Sequence, residues 1–185
     1  CGSGTIAIEA ALLATNRRPG LYRNNYSFMH LSEYDESYYH QQIREAENKV
    51  IDKPGTCIIA TDISEDAVNI SVVNAGIAGV EELIEFDTCD FEKTRVPEDP
   101  NGIIYFNPEY GDRLGVEAEL AATYSRIGDF LKQQCKGYTG YIFTGNLELA
   151  KKIGLKPKRR IEFYTSKIDC RLFEYELYAG TREPK

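Results

Sequence analysis

The chain has 185 residues, 42% hydrophobic and 28% charged, which is enough for one compact domain with a real core and too balanced for a disordered polymer. No apolar run approaches the roughly 20 residues of a membrane-spanning helix, and Cys1, Cys57, Cys89, Cys135 and Cys170 are odd in number, widely spread and without a C-x-x-C pair, against a disulfide framework or a zinc site and in favour of a reducing cytoplasm. A net charge of −7 means that any binding of nucleic acid relies on a local cationic patch or another domain, because phosphate neutralisation supplies most non-specific affinity.

Position 1 is Cys, with no signal pattern after it, so the chain reads as a piece of something longer. Cys1-Gly2-Ser3-Gly4-Thr5 feeds a helix expected from Ile6 to Ala14, rich in Ala, Ile and Leu and ended before Pro19-Gly20. Residues 21–55 read as an insertion packed on the domain, aromatic and polar at first and then a surface helix from Tyr34 to Ile51. Thr56 to Asp62 is a short apolar run bounded by Pro54-Gly55, as in a strand buried on both faces. Ser64 caps the next helix, whose first turn carries Glu65 and Asp66 and whose end falls near Gly76 and Gly79.

Strands follow at Leu83 to Phe86 and Gly102 to Phe106, then a helix from Glu117 to Lys136, a strand from Tyr138 to Thr144 and a short helix from Leu147 to Ile153. This alternation predicts an α/β fold with a mostly parallel sheet. Arg160 to Lys167 and Arg171 to Ala179 are alternating, aromatic-rich runs, predicting a closing hairpin that brings in an antiparallel strand. Before it, Lys151, Lys152, Lys156, Lys158, Arg159 and Arg160 form a stretch without an acidic residue. It reads either as a solvated helix end or as a phosphate-binding patch.

Four places can carry chemistry. In Cys1 to Thr5, small residues let a ligand approach the backbone, and the helix start offers N–H groups to an anion. Asp62 ends a buried strand at the carboxyl edge, where open parallel sheets bind ligands, and can accept two ribose hydroxyls; it can also simply cap the following helix. Asp90 and Phe91, after the next strand, can take the amine and cover the face of an adenine. Asn107-Pro108-Glu109-Tyr110 ends a third strand. The Asn107 side-chain oxygen and Pro108 carbonyl can accept both hydrogens of an exocyclic amine, while Tyr110 stacks on the base. The alternative there is an ordinary strand-end turn.

These stretches resemble the THUMP-associated, S-adenosylmethionine-dependent RNA guanine-N2 methyltransferases, especially the bacterial 23S rRNA branch. The likeness covers nearly the whole chain: CGSGTIAIEAA, RRPGLYR, the SF…YD…EA stretch, ATDISEDAV, Asn74-Ala75 with Ala78-Gly79-Val80, and the closing FYTSKIDCRLFEYEL. The resemblance implies a Rossmann-like class I methyltransferase domain whose first, central strand would precede Cys1, and an RNA-binding THUMP region before that. It implies methyl transfer to the N2 amine of a guanine in 23S rRNA. Cys1, Gly2, Ser3, Gly4 and Thr5 would touch the methionine part of S-adenosylmethionine, Asp62 the ribose, and Asp90 with Phe91 the adenine, with Ile63 also among the cofactor-binding residues. Asn107, also close to the donor, would hold the guanine with Pro108 and Tyr110. Glu109 departs from the family, which usually has a second proline there. Adenine-N6 DNA methylation, a tRNA guanine target and a non-catalytic cofactor- or RNA-binding module remain the alternatives.

Overall fold

The computed structural model describes residues 1–98, 101–110, 117–165 and 168–178. The chain divides into two compact units, Cys1–Thr94 and Arg95–Lys185.

The first unit begins with α1 (Thr5–Ala14), entered through Gly4 in the left-handed conformation. The expected surface helix is α2 (Glu36–Glu47), shorter than the pattern suggested because the Asp35 side chain caps it, accepting from the Tyr38 N–H at 2.9 Å. Strand β1 (Ile58–Asp62) runs parallel to β2 (Ile84–Thr88), with Ile58 opposite Ile84 and Asp62 opposite Thr88. Between them, α3 (Glu65–Ala78) starts at Ser64, whose hydroxyl accepts from the Ala67 N–H, and stops at left-handed Gly79. Ile8, Ala11, Ala60, Ala75, Val80 and Ile84 form its core. Three of these six are alanines, which allow close packing between α1, α3 and the strands. The insertion is tied on by polar contacts: the Tyr22 hydroxyl donates to the Ile77 carbonyl, the Ile51 N–H to the Thr15 carbonyl and the Asn16 amide to the Lys49 carbonyl.

The second unit holds a sheet in the order β3-β4-β6-β5. Strands β3 (Ile103–Phe106) and β4 (Thr139–Thr144) are parallel, β6 (Ile168–Glu176) is antiparallel to β4, and β5 (Arg159–Thr165) pairs with β6 as the expected hairpin. The hairpin connection at 166–167, and Ala179 in the second expected run, lie outside the described residues. Helix α4 (Glu117–Gln134) buries Tyr124, Ile127 and Leu131 at helical spacing. Leu131 packs on Gly140, and Phe130 meets Phe106 edge to face at 6.1 Å. Helix α5 (Leu147–Lys152) is capped by Asn146, which accepts from the Glu148 and Leu149 N–H groups.

Gly128 sets how closely α4 approaches the chain after α5, since a Cβ there would lie 1.9 Å from the Ile153 carbonyl oxygen. Gly128→Ala gains about 1 kcal/mol of helix propensity, but forcing the backbones apart costs about 3 kcal/mol. Chemical denaturation should therefore show a net loss of about 2 kcal/mol, and equal or greater stability would contradict this packing.

Candidate active site

Asp62 organises the first unit's loop. Its Oδ2 accepts from the Gly2 N–H at 2.9 Å and from the Cys1 nitrogen at 2.6 Å, while Oδ1 accepts from the Ser64 N–H at 3.0 Å. The Cys1 nitrogen also donates to the Thr61 carbonyl at 2.8 Å. Burial opposes ionisation of Asp62. Hydrogen bonds from the Gly2 N–H, the Cys1 nitrogen and the Ser64 N–H outweigh it and bring the pKa below the ordinary 3.8.

The same loop is held from behind by α3. The buried Ser71 hydroxyl is within donating distance of the Gly2 carbonyl and the Ala67 carbonyl, both at 2.9 Å, and the Asn74 amide donates to the Ser3 carbonyl at 2.9 Å. Gly4 lies against Ser71, where a Cβ would be 3.0 Å from the Ser71 Cβ. Gly2 is different: it is left-handed, with φ 59°, yet a Cβ would meet nothing within 4 Å. Glycine is needed there for backbone conformation, and the space beside it is open. Helix α1 has no side-chain cap, so its first turn presents N–H groups to an anion.

Pairing of β1 with β2 aligns the other predicted residues. The Cys89 N–H donates to the Asp62 carbonyl at 2.9 Å, which sets Asp90 and Phe91 beside Asp62 and Ile63 at the carboxyl edge of the two strands. Ile63 is 75% exposed, an apolar surface suited to a flat ring. Asp90 also has a local role, its Oδ1 accepting from the Glu92 N–H.

In the second unit, Asn107, Pro108, Glu109 and Tyr110 follow β3, with Asn107 and Glu109 exposed. The Tyr110 hydroxyl donates to the Asn107 Oδ1 at 2.8 Å, and its ring lies edge-on to Phe143 at 6.4 Å. Burial, followed by the influence of Cys170, Tyr105 and Tyr124, pushes the Tyr110 pKa up to about 12, so its hydroxyl stays a donor through neutral pH. The loop backbone is anchored at two carbonyls. The Tyr124 hydroxyl donates to the Glu109 carbonyl at 3.2 Å, and the Asn146 amide to the Tyr110 carbonyl at 3.0 Å. Thr144 steadies both anchors, with its hydroxyl 2.7 Å from that of Tyr124 and accepting from the Asn146 N–H.

Sequence reasoning did not single out Ser71, Tyr124, Thr144 or Asn146. Only the three-residue spacing of Ser71 and Asn74 along one predicted helix offered a signal. The basic stretch is partly spent: Lys151 pairs with Glu148, Lys158 with Glu176 and Arg159 with Glu174, while Arg160 lies over the Phe173 ring.

The family model for the RMKL-like methyltransferase domain matches residues 1–174. The chain belongs to this family. Among curated relatives, the ribosomal RNA large subunit methyltransferase K/L of Syntrophotalea carbinolica is 33% identical over 96% of the chain, and that of Shewanella baltica strain OS155 is 33% identical over 98%. The chain spans 26% of the length of each. Among solved structures, a possible methylase from Clostridium difficile 630 superposes with a TM-score of 0.85 at 30% identity, over 99% of this chain and 48% of that one. A predicted N6-adenine-specific DNA methylase from Listeria monocytogenes gives 0.79 at 27% identity, over 96% and 45%. The fold is thus that of the class I methyltransferases. No helix among the described residues is long and apolar enough to cross a membrane.

Two outcomes follow from the loop geometry. Ser71→Ala leaves the Gly2 carbonyl without its donor and should cost about 1 to 2 kcal/mol of stability by thermal unfolding. The lowered Asp62 pKa means its contribution is present at and above pH 3.8 and is lost as pH falls through the lower folded-state value. An NMR titration of the Asp62 carboxyl carbon should place its midpoint below 3.8, and a midpoint at or above 3.8 would remove those hydrogen bonds from the account.

Proposed function

We propose that the protein transfers a methyl group from S-adenosylmethionine to the exocyclic N2 amine of a guanine in 23S ribosomal RNA. The observation that carries this reading is the Asn107–Tyr110 loop: an exposed amide oxygen is oriented by the neighbouring Tyr110 hydroxyl, on a backbone anchored at two consecutive carbonyls. Similarity to the ribosomal RNA large subunit methyltransferases K/L supports the choice of ribosomal RNA.

The first unit's residues fit the methyl donor. Open space at Gly2 and the uncapped start of α1 suit its amino-acid part, and Asp62 retains lone-pair capacity for a ribose hydroxyl beyond its three protein donors. Ile63, Asp90 and Phe91 would hold the adenine. Bound S-adenosylmethionine supplies an electrophilic methyl on a sulfonium.

The chain's own contribution is orientation. Asn107 Oδ1 has two lone pairs, so it can accept one amine hydrogen while keeping the Tyr110 hydroxyl. The Pro108 carbonyl accepts the other, leaving the nitrogen lone pair free to attack a methyl carbon, and the Tyr110 ring stacks on the base. The amine then loses its proton to solvent, so no general base is needed. Glu109 removes a proline's rigidity, but the Tyr124 hydroxyl on the Glu109 carbonyl replaces part of it. Lys152 and Lys156 are the cations of the basic stretch proposed for phosphate contact, with most RNA affinity assigned to a THUMP region of the whole protein and the cytoplasm as its compartment.

A second reading, methylation of adenine N6 in DNA, is favoured by the similarity to the Listeria structure, a predicted N6-adenine-specific DNA methylase. Labelled methyl transfer by the whole protein decides between them. Transfer to 23S rRNA with N2-methylguanine as product is expected, and Asn107→Ala should lower it at least about 100-fold. Label in DNA with none in ribosomal RNA would overturn the guanine assignment. Asp62→Ala should weaken S-adenosylmethionine binding by about 1 to 3 kcal/mol in calorimetry, and unchanged affinity would remove Asp62 from the site.

A further inference from the structure

The insertion carries a surface that methyl transfer leaves unused. Phe28, Leu31, Tyr34, Tyr38, Tyr39 and Glu33 help line a cavity of about 350 Å³. That volume falls in the range of small-ligand sites, which begins at about 300 Å³. Neither the short 3-10 turn Ser27–His30 nor α2 contains a fully buried residue, so these rings gather at the surface rather than in a core. Phe28, Tyr34 and Tyr39 meet one another at 5.6 to 6.1 Å with tilts of 52° to 55°, so none is stacked flat on another of the three. Tyr38 is 61% exposed at the same cavity.

The cluster continues away from the cavity as an ordered stack. Phe28 lies on Tyr26 at 5.2 Å with a 17° interplanar angle, and the Arg23 guanidinium sits 4.7 Å from the Tyr26 ring centre. The Arg23 Nε–H donates to the Asn25 carbonyl, which fixes the orientation of the guanidinium. One continuous column therefore runs from an exposed cation, through two aromatic rings, to an aromatic cavity with the Glu33 carboxylate.

Each part matches a part of a nucleotide. Aromatic rings stack on any base, and a guanidinium is the usual partner of a phosphate. A carboxylate accepts from the N–H donors of an amine-bearing base edge. A quaternary ammonium would also suit the rings with Glu33 and Asp35, so tetramethylammonium serves as the competing ligand in the test.

We propose that this cavity binds one unpaired, amine-bearing nucleobase of the RNA substrate, stacked on the Phe28–Tyr34–Tyr38–Tyr39 cluster, with Arg23 at the far end of the Tyr26–Phe28 stack placed for the phosphate of a neighbouring nucleotide. The proposal rests on the RNA-methylation reading for the identity of the polymer. It supplies a local answer to the chain's negative charge, since binding here is driven by stacking with a single cation.

Fluorescence anisotropy of the whole protein with single-stranded oligoadenylate and oligouridylate RNA tests it. Tyr38→Ala should weaken oligoadenylate binding about tenfold, and Glu33→Gln should narrow the preference for adenine over uracil. Both side chains are exposed, and unchanged S-adenosylmethionine affinity checks that each variant is folded. Affinities within twofold of the parent for both variants would overturn the proposal. So would Tyr38-dependent binding of tetramethylammonium with RNA affinity untouched. Asn107→Ala separates the two readings. If the parent labels no RNA but Tyr38→Ala still weakens oligoadenylate binding, the methylation reading fails and the cavity assignment stands. If Asn107→Ala alone has an effect, the reverse holds.

Discussion

One carboxylate joins three segments of the first unit. Asp62 ends β1, receives the amide of Gly2 from the glycine loop, and receives the amide of Ser64 at the start of α3. The carboxylate accepts from both amides and so stabilises the loop, while those hydrogen bonds keep the carboxylate ionised. The glycine loop holds its shape because a charge at the strand end draws its amides inward.

The second unit solves a similar problem without charge. Its Asn107–Tyr110 loop is fixed by neutral donors: a tyrosine hydroxyl from α4 and an asparagine amide before α5, both linked to the Thr144 hydroxyl. Buried Tyr124 and Thr144 satisfy each other, which makes the arrangement tolerable in a core. A neutral network leaves the loop insensitive to pH across the physiological range.

Most of the fold was legible because its signals are local. α1 needed only an Ala- and Leu-rich run after glycines, α3 only Ser64 ahead of two acidic residues and a terminating Gly79, and the hairpin only two alternating aromatic runs. The residues gathered by β1–β2 pairing were legible for the same reason, since Asp62 and Asp90 each follow an apolar run. Ser71, Tyr124, Thr144 and Asn146 were hidden because their roles depend on partners far along the chain. The basic stretch shows the same limit from the other side. Its cations look unopposed in sequence, but Glu174 and Glu176 come alongside through β6, and only strand register reveals them.

Ser71 has one hydroxyl proton and two carbonyls within reach, Gly2 on the loop and Ala67 one turn back on its own helix. When the loop stays still, that proton can clamp it to α3. When the loop shifts, the proton can swing to Ala67, and no buried hydroxyl is stranded. The glycine loop can thus be set firmly at rest and still yield at little cost, the behaviour of a latch with a second catch behind it.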